Sequence, residues 1–176
     1  DGRWLVPHFE KMLYDQALLA RTYLEAYRIR RRPQDADVAR GIFEYVLRDL
    51  TDSQGGFYSA EDADSEGQEG TFYVWTPPEV SSVLGEQDGG WFNRFYDVTA
   101  EGNFEHGASI LNITQPLEAF ATLKGMDPEE LSQRLSRSRA KLLAAREARI
   151  RPHRDDKVLL GWNGLMAAGL IYWLVP

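Results

Sequence analysis

The 176-residue sequence predicts a mainly α protein, built of helical hairpins whose connecting loops carry short β-hairpins. Two observations predict it. Apolar residues recur at three- and four-residue spacing over long stretches, and segments rich in Gly, Asp and aromatic residues separate those stretches. The β segments are few and come as hairpins. Helical pairs arranged around an axis therefore fit the order better than the strand-helix-strand units of a parallel sheet.

The first helix is predicted from His8 to about Arg30, with Pro7 in the position that a first-turn proline takes. Phe9, Met12, Leu13, Ala17, Leu19, Ala20, Tyr23, Leu24 and Tyr27 fill one broad arc, while Tyr14, Leu18 and Ile29 fall opposite. A helix apolar on more than one side is buried on more than one side. Residues 34–50 form a second helix, with Ala39, Ile42, Phe43, Val46 and Leu50 on one face and the ladder Arg40, Glu44, Arg48 on its solvated back. The pair reads as an inner helix followed by an outer one. Residues 55–75 then read as two short strands around an acidic turn, and "TPPEVSSVLG" and "GGWFNRFYDV" as short helices, the first opened by Thr76 and proline. "GNFEHGASILNIT" reads as irregular or as a second hairpin. Asp127 caps a charged helix that runs from Pro128 to about Arg149, with Glu130 as its capping-box partner. A loop follows, and an apolar helix begins near Trp162.

Composition narrows the function classes. With 20 Lys and Arg against 27 Asp and Glu, the net charge of −7 disfavours nucleic acid and anionic membrane as partners. No cysteine is present, which removes disulfides, thiolate zinc sites and thiol redox chemistry. No apolar run reaches the roughly 18 residues of a membrane span, and the N-terminus lacks the pattern of a signal peptide, so a cytoplasmic location is the default expectation. The sequence starts without Met and stops inside an apolar helical pattern, which reads as an excerpt of a larger protein. The three histidines are scattered and no phosphate-cradling glycine motif occurs, so neither a metal nor any other cofactor is expected.

Four motifs carry a family resemblance: "WLVPHFEKMLYDQA" (4–17), "GGFYSAEDADSEGQEGTFYVW" (55–75), "GNFE" (102–105) and "DDKVLLGWNGLM" (155–166). Together they resemble the spermatogenesis-associated protein 20 family and its bacterial YyaL-like relatives. The resemblance implies a thioredoxin-like domain upstream and a partial (α/α)6 toroid across residues 1–176, similar to N-acylglucosamine 2-epimerases and six-hairpin glycosidases. In such toroids the loops at one mouth hold the sugar, and carboxylates or histidines there move protons. The functions implied are a sugar epimerase or isomerase, or a glycoside hydrolase, acting on a carbohydrate or other small molecule. The alternative is a non-catalytic scaffold for a glycan or protein.

The acidic segment is the richest source of candidates. Asp62, Asp64, Glu66 and Gly67 imitate the start of an EF-hand, but Tyr73 stands where the bidentate Glu belongs and the flanks are not helical, so no strong calcium site is expected. Crowded carboxylates instead furnish an acid/base pair for glycoside cleavage, with Asp62 and Asp64 as the catalytic candidates and Glu61 and Glu69 beside them for substrate. His8, Lys11 and Asp15 share one face of the predicted first helix, which makes His8 the candidate base for removing a carbon-bound proton. Lys11 and Asp15 would bind substrate or tie neighbouring hairpins together. Asp156 is the third catalytic carboxylate, against a plain charge-capping role for it and Asp155. Trp75 and Trp162 are candidate stacking platforms, and the Asn163 amide a candidate partner for a sugar hydroxyl. Glu10 and Tyr14 read as a packing pair, and His106 and His153 as isolated loop residues.

Overall fold

The computed structural model describes residues 2–174. In chain order the elements are β1 (Lys11–Met12), α1 (Leu13–Arg30), α2 (Pro33–Asp49), β2 (Ala60–Glu61), β3 (Asp64–Ser65), β4 (Gln68–Glu69), α3 (Pro77–Phe95), α4 (Leu117–Lys124), α5 (Pro128–Arg146), β5 (Arg154–Asp155) and α6 (Leu160–Leu174). The protein is thus mainly helical with short antiparallel strands, as predicted. The last two residues of the C-terminal apolar pattern lie outside the described residues. No helix among the described residues is long and apolar enough to cross a membrane. The chain divides into two compact units: a sheet unit of residues 8–64 and 152 onward, and an aromatic unit of residues 1–7 and 65–151.

In the sheet unit α1 buries Leu13, Ala17, Ala20 and Leu24 along one stripe, and packs against both α2 and α6. Leu18, Leu19 and Ile29 are exposed, so α1 buries one stripe and not the far side that its apolar pattern predicts. Arg31 ends the helix in the left-handed region (φ 53°), and its N–H bonds the Tyr27 carbonyl. Pro33 opens α2, where Asp35 sits buried in the first turn and pairs with Arg32 at 3.2 Å. Ala39, Phe43 and Val46 are the buried stripe of α2. Phe43 is fully enclosed and stacks on Trp173 with ring centres 5.0 Å apart. Its burial contributes roughly 1.5–3 kcal/mol.

The N-terminal boundary of α1 corrects the prediction. Residues 11–12 are a strand, so His8 and Lys11 do not share a helical face with Asp15. Lys11 pairs with Glu61 and Met12 with Ala60, and the Leu13 N–H goes to the Ser59 carbonyl at 2.9 Å. A non-local ladder satisfies these amides, and it overrides the local apolar spacing. β2 lies between β1 and β5 in an antiparallel sheet, with Ala60 opposite Asp155 and Glu61 opposite Arg154.

The 55–75 hairpin is corrected as well. The strands lie inside the acidic segment instead of around it. Glu66 (φ 56°) and Gly67 (φ 78°) form the two-residue turn between β3 and β4, as a type I′ turn requires. The glycine that imitates a calcium loop serves this hairpin. Thr71–Tyr73 forms a turn and Trp75 makes a single antiparallel bridge to Ser109, while Arg149 donates from Nη1 to the carbonyls of Phe72 (3.0 Å) and Val74 (2.7 Å).

In the aromatic unit α3 opens with the Thr76–Glu79 capping box and breaks at Gly85 (φ 79°, ψ 166°), so it consists of the two predicted short helices in succession. Asp127 accepts from the Glu130 N–H at 3.0 Å and starts α5. The sequence reading missed α4, although Pro116 before it and Gly125 after it (φ 63°) are start and stop signals. The core gathers Trp75, Val80, Phe92, Phe95, Tyr96, Phe120, Leu131, Leu135 and Leu142. Edge-to-face contact between Phe95 and Phe120, 5.3 Å apart, joins α3 to α4.

Candidate functional site

Side chains of a strand alternate between faces, so cross-strand partners share a face. Met12, Ala60 and Asp155 are one such row. Counting outward in steps of two along each strand adds Glu10, Asp62, His153 and Lys157. These residues line one cavity of about 430 Å³, together with the buried Glu61. Two of its lining residues are joined through the backbone, where the Asp62 N–H donates to the His153 carbonyl at 2.8 Å.

The groups in this cavity differ in how they are held. Lys157 Nζ lies 2.6 Å from Asp155 Oδ2, and that bond holds the Asp155 carboxyl below the ordinary Asp value. Glu61 accepts from the Tyr45 hydroxyl at 3.4 Å. Asp62 Oδ1 accepts from the Ala63 N–H at 2.7 Å, which turns its carboxylate into a local brace while the residue stays exposed. His153 and Glu10 are exposed at the cavity. The arrangement offers an imidazole, several carboxylates and one ammonium on a single face, a set able to accept, donate and relay protons to a hydroxylated ligand. Among the described residues no three His, Cys, Asp or Glu side chains gather as metal ligands.

The chain is 42% identical over 96% of its length to spermatogenesis-associated protein 20 of Homo sapiens, and 40% identical over 96% to that of Mus musculus. The chain matches spermatogenesis-associated protein 20. The resemblance to spermatogenesis-associated protein 20 read from the four motifs is borne out. An uncharacterized protein of Caenorhabditis elegans is 33% identical over 97% of the chain. The chain spans about a quarter of the length of these curated relatives. No family model matches it.

Within this segment similar to spermatogenesis-associated protein 20, the remaining candidates are dispersed. His8 is exposed on the extended chain before β1, and Asp15 is exposed in the first turn of α1. Lys11 Nζ donates to the Phe9 carbonyl at 2.6 Å. Asp64 and Glu69 are exposed on the β3–β4 hairpin. Asp156, one residue out of step with the cavity row, pairs with Arg154 at 2.7 Å and raises the Arg154 pKa further. Trp162 packs edge-on against Tyr14, with ring centres 4.9 Å apart. Asn163 accepts from the Phe57 N–H (2.7 Å) and donates to the carbonyls of Phe57 (2.9 Å) and Leu159 (3.1 Å), so its amide holds backbone. Trp75 is buried in the aromatic core, with the Arg149 guanidinium 4.1 Å from its ring centre.

Sequence reasoning named Asp62 and Glu61 as candidates, set Glu10, His153 and Asp155 aside and did not single out Lys157. The available signal was the alternation 153, 155, 157 in "HRDDK", beside 10, 12 and 60, 62. Only the strand pairing turns those three alternations into one surface.

Proposed function

We propose that this chain is part of a carbohydrate-active helical domain, of the partial (α/α)6 toroid kind, in a larger protein that carries an upstream thioredoxin-like domain. Its cavity on the sheet face binds a hydroxylated small molecule and moves protons on it. One observation carries the reading: Asp155 of β5 and Glu10, Asp62, His153 and Lys157, which flank the three paired strands, line one cavity of about 430 Å³, a volume within the range of small-molecule sites. Carboxylates accept bonds from sugar hydroxyls, the Lys157–Asp155 pair leaves one charge partly neutralised, and His153 serves as base or acid. Epimerisation needs a base at a carbon-bound proton, and His153 or His8 supplies it. Glycoside cleavage needs paired carboxylates, for which Asp62, with Glu10, Asp64 or Asp156, is the source.

The test uses full-length protein on a panel of free and linked sugars, following solvent deuterium incorporation and reducing-end release. His153→Gln and Asp62→Asn should each cost about 100-fold or more in whichever activity is present. A loss concentrated in His8→Gln and Asp156→Asn instead would move the chemistry off the sheet face.

A second reading, a non-catalytic glycan- or protein-binding scaffold, draws on a specific observation: the Asp62, Asp156 and Asn163 side chains are all engaged by backbone or an ion pair. Sugar binding with neither deuterium exchange nor release in the wild type would select it.

A further inference from the structure

The aromatic unit holds a second cavity of opposite character. On α5, Arg139, Leu142, Leu143 and Arg146 fall at i, i+3, i+4 and i+7, one face of the helix. With Trp75, Phe92 and Leu111 this face lines about 350 Å³. Leu142 and Phe92 are buried and make an apolar floor, while Leu111 is 37% exposed, so the cavity opens to solvent. Its only charged lining residues are the two arginines, in a chain whose net charge is −7. Arg146 is positioned by aromatic rings, with its guanidinium 5.2 Å from the Phe72 ring centre and 5.4 Å from that of Tyr73. Arg139 donates from Nη1 to the Tyr96 hydroxyl at 2.9 Å, and a guanidinium carries five N–H donors, so this bond orients the group and leaves further donors.

An apolar floor with cations and no carboxylate at its edge complements one ligand class. We propose that this cavity binds an amphipathic monoanion, its apolar body against Trp75, Phe92 and Leu142 and its carboxylate at Arg139, with Arg146 adding to the positive field. The site is independent of the proton-transfer cavity, since all its lining residues belong to the other unit.

Titration calorimetry of the full-length protein with octanoate, and with octanamide as the uncharged analogue of the same shape, tests this. Octanoate should bind at submillimolar Kd and octanamide at least about tenfold more weakly, because a charge-assisted bond to Arg is roughly twice as strong as a neutral one. Arg139→Gln should remove the preference for the anion, and Arg139→Lys should keep most of it. Equal binding of the two compounds by the wild type would overturn the proposal, whatever the variants do. So would the absence of octanoate binding up to about 10 mM, or an undiminished preference in Arg139→Gln.

Discussion

In the sheet unit Asn163 brackets Phe57, donating to its carbonyl at 2.9 Å and accepting from its N–H at 2.7 Å; in the aromatic unit Asn103 brackets Ile110, at 3.0 and 2.7 Å. Each amide does what a neighbouring strand would do, and so satisfies irregular backbone that no ladder reaches. An arginine over an aromatic ring also appears in both units, Arg154 over Tyr58 at 4.0 Å and Arg149 over Trp75 at 4.1 Å. The surroundings differ. Arg149 is withdrawn from water against the carbonyls of residues 71–74, and desolvation lowers its pKa. Arg154 is exposed and bonded to Asp156, and that bond raises its pKa. The same contact serves as a half-buried anchor that also pairs with Glu79 at 3.2 Å in one unit, and as a more exposed ion pair in the other. The cavities follow suit, one lined by carboxylates, an imidazole and an ammonium, the other apolar with a cationic rim.

The largest expected effect tests how tightly each unit packs its loops. A Cβ on Gly102 (φ 69°) would lie 2.4 Å from the Gly107 carbonyl carbon, whereas one on Gly56 (φ 91°) would meet the Val158 side chain at 3.2 Å. Backbone cannot yield as a methyl can. Gly102→Ala should cost about 4 kcal/mol or more and Gly56→Ala about 1–2 kcal/mol in urea unfolding. Equal losses would break the contrast.

Removal of the asparagine brackets should come next. Asn163→Ala and Asn103→Ala should each destabilise by about 2 kcal/mol, since both leave a backbone N–H and carbonyl without their partner. The two losses should be alike, because the Leu159 carbonyl that the Asn163 side chain also reaches keeps the backbone N–H of residue 163. Asn163→Asp keeps the acceptor for the Phe57 N–H and should fall between wild type and Ala. A loss in only one unit would show that the shared geometry hides unequal roles.

The smallest effect is a pH dependence in the sheet unit. The Tyr58 hydroxyl donates to Asp52 Oδ2 at 2.6 Å, a bond that lowers the Asp52 pKa below 3.8 and raises that of Tyr58 above 10.0. The depressed carboxyl contributes stability that is present above pH 3.8 and lost as pH falls through its folded value. The raised phenol contributes stability that is present below pH 10.0 and lost as pH rises through its folded value. Tyr58→Phe should flatten stability at both ends of a pH series of unfolding curves. A series that matches the wild type throughout would mean that solvent screens the pair completely.

The sequence by itself determined the helical character, the broad apolar arc of α1, the single stripe of α2, the caps at Thr76 and Asp127, and the likeness to spermatogenesis-associated protein 20 carried by four motifs. These rest on local spacing and on side chains that bond within a few residues. It also marked the acidic segment as the place to look, and Asp62 within it. Only the tertiary structure decided that residues 11–12 leave the helix, that Asn163 holds backbone, and that Asp155 and not Asp156 faces the cavity. The physical reason is that strand pairing joins residues about 50 and 90 positions apart, and a shift of one residue in a strand reverses its face. Apolar spacing carries no record of that register, so the residues that share the sheet face became a set only once β1, β2 and β5 had paired.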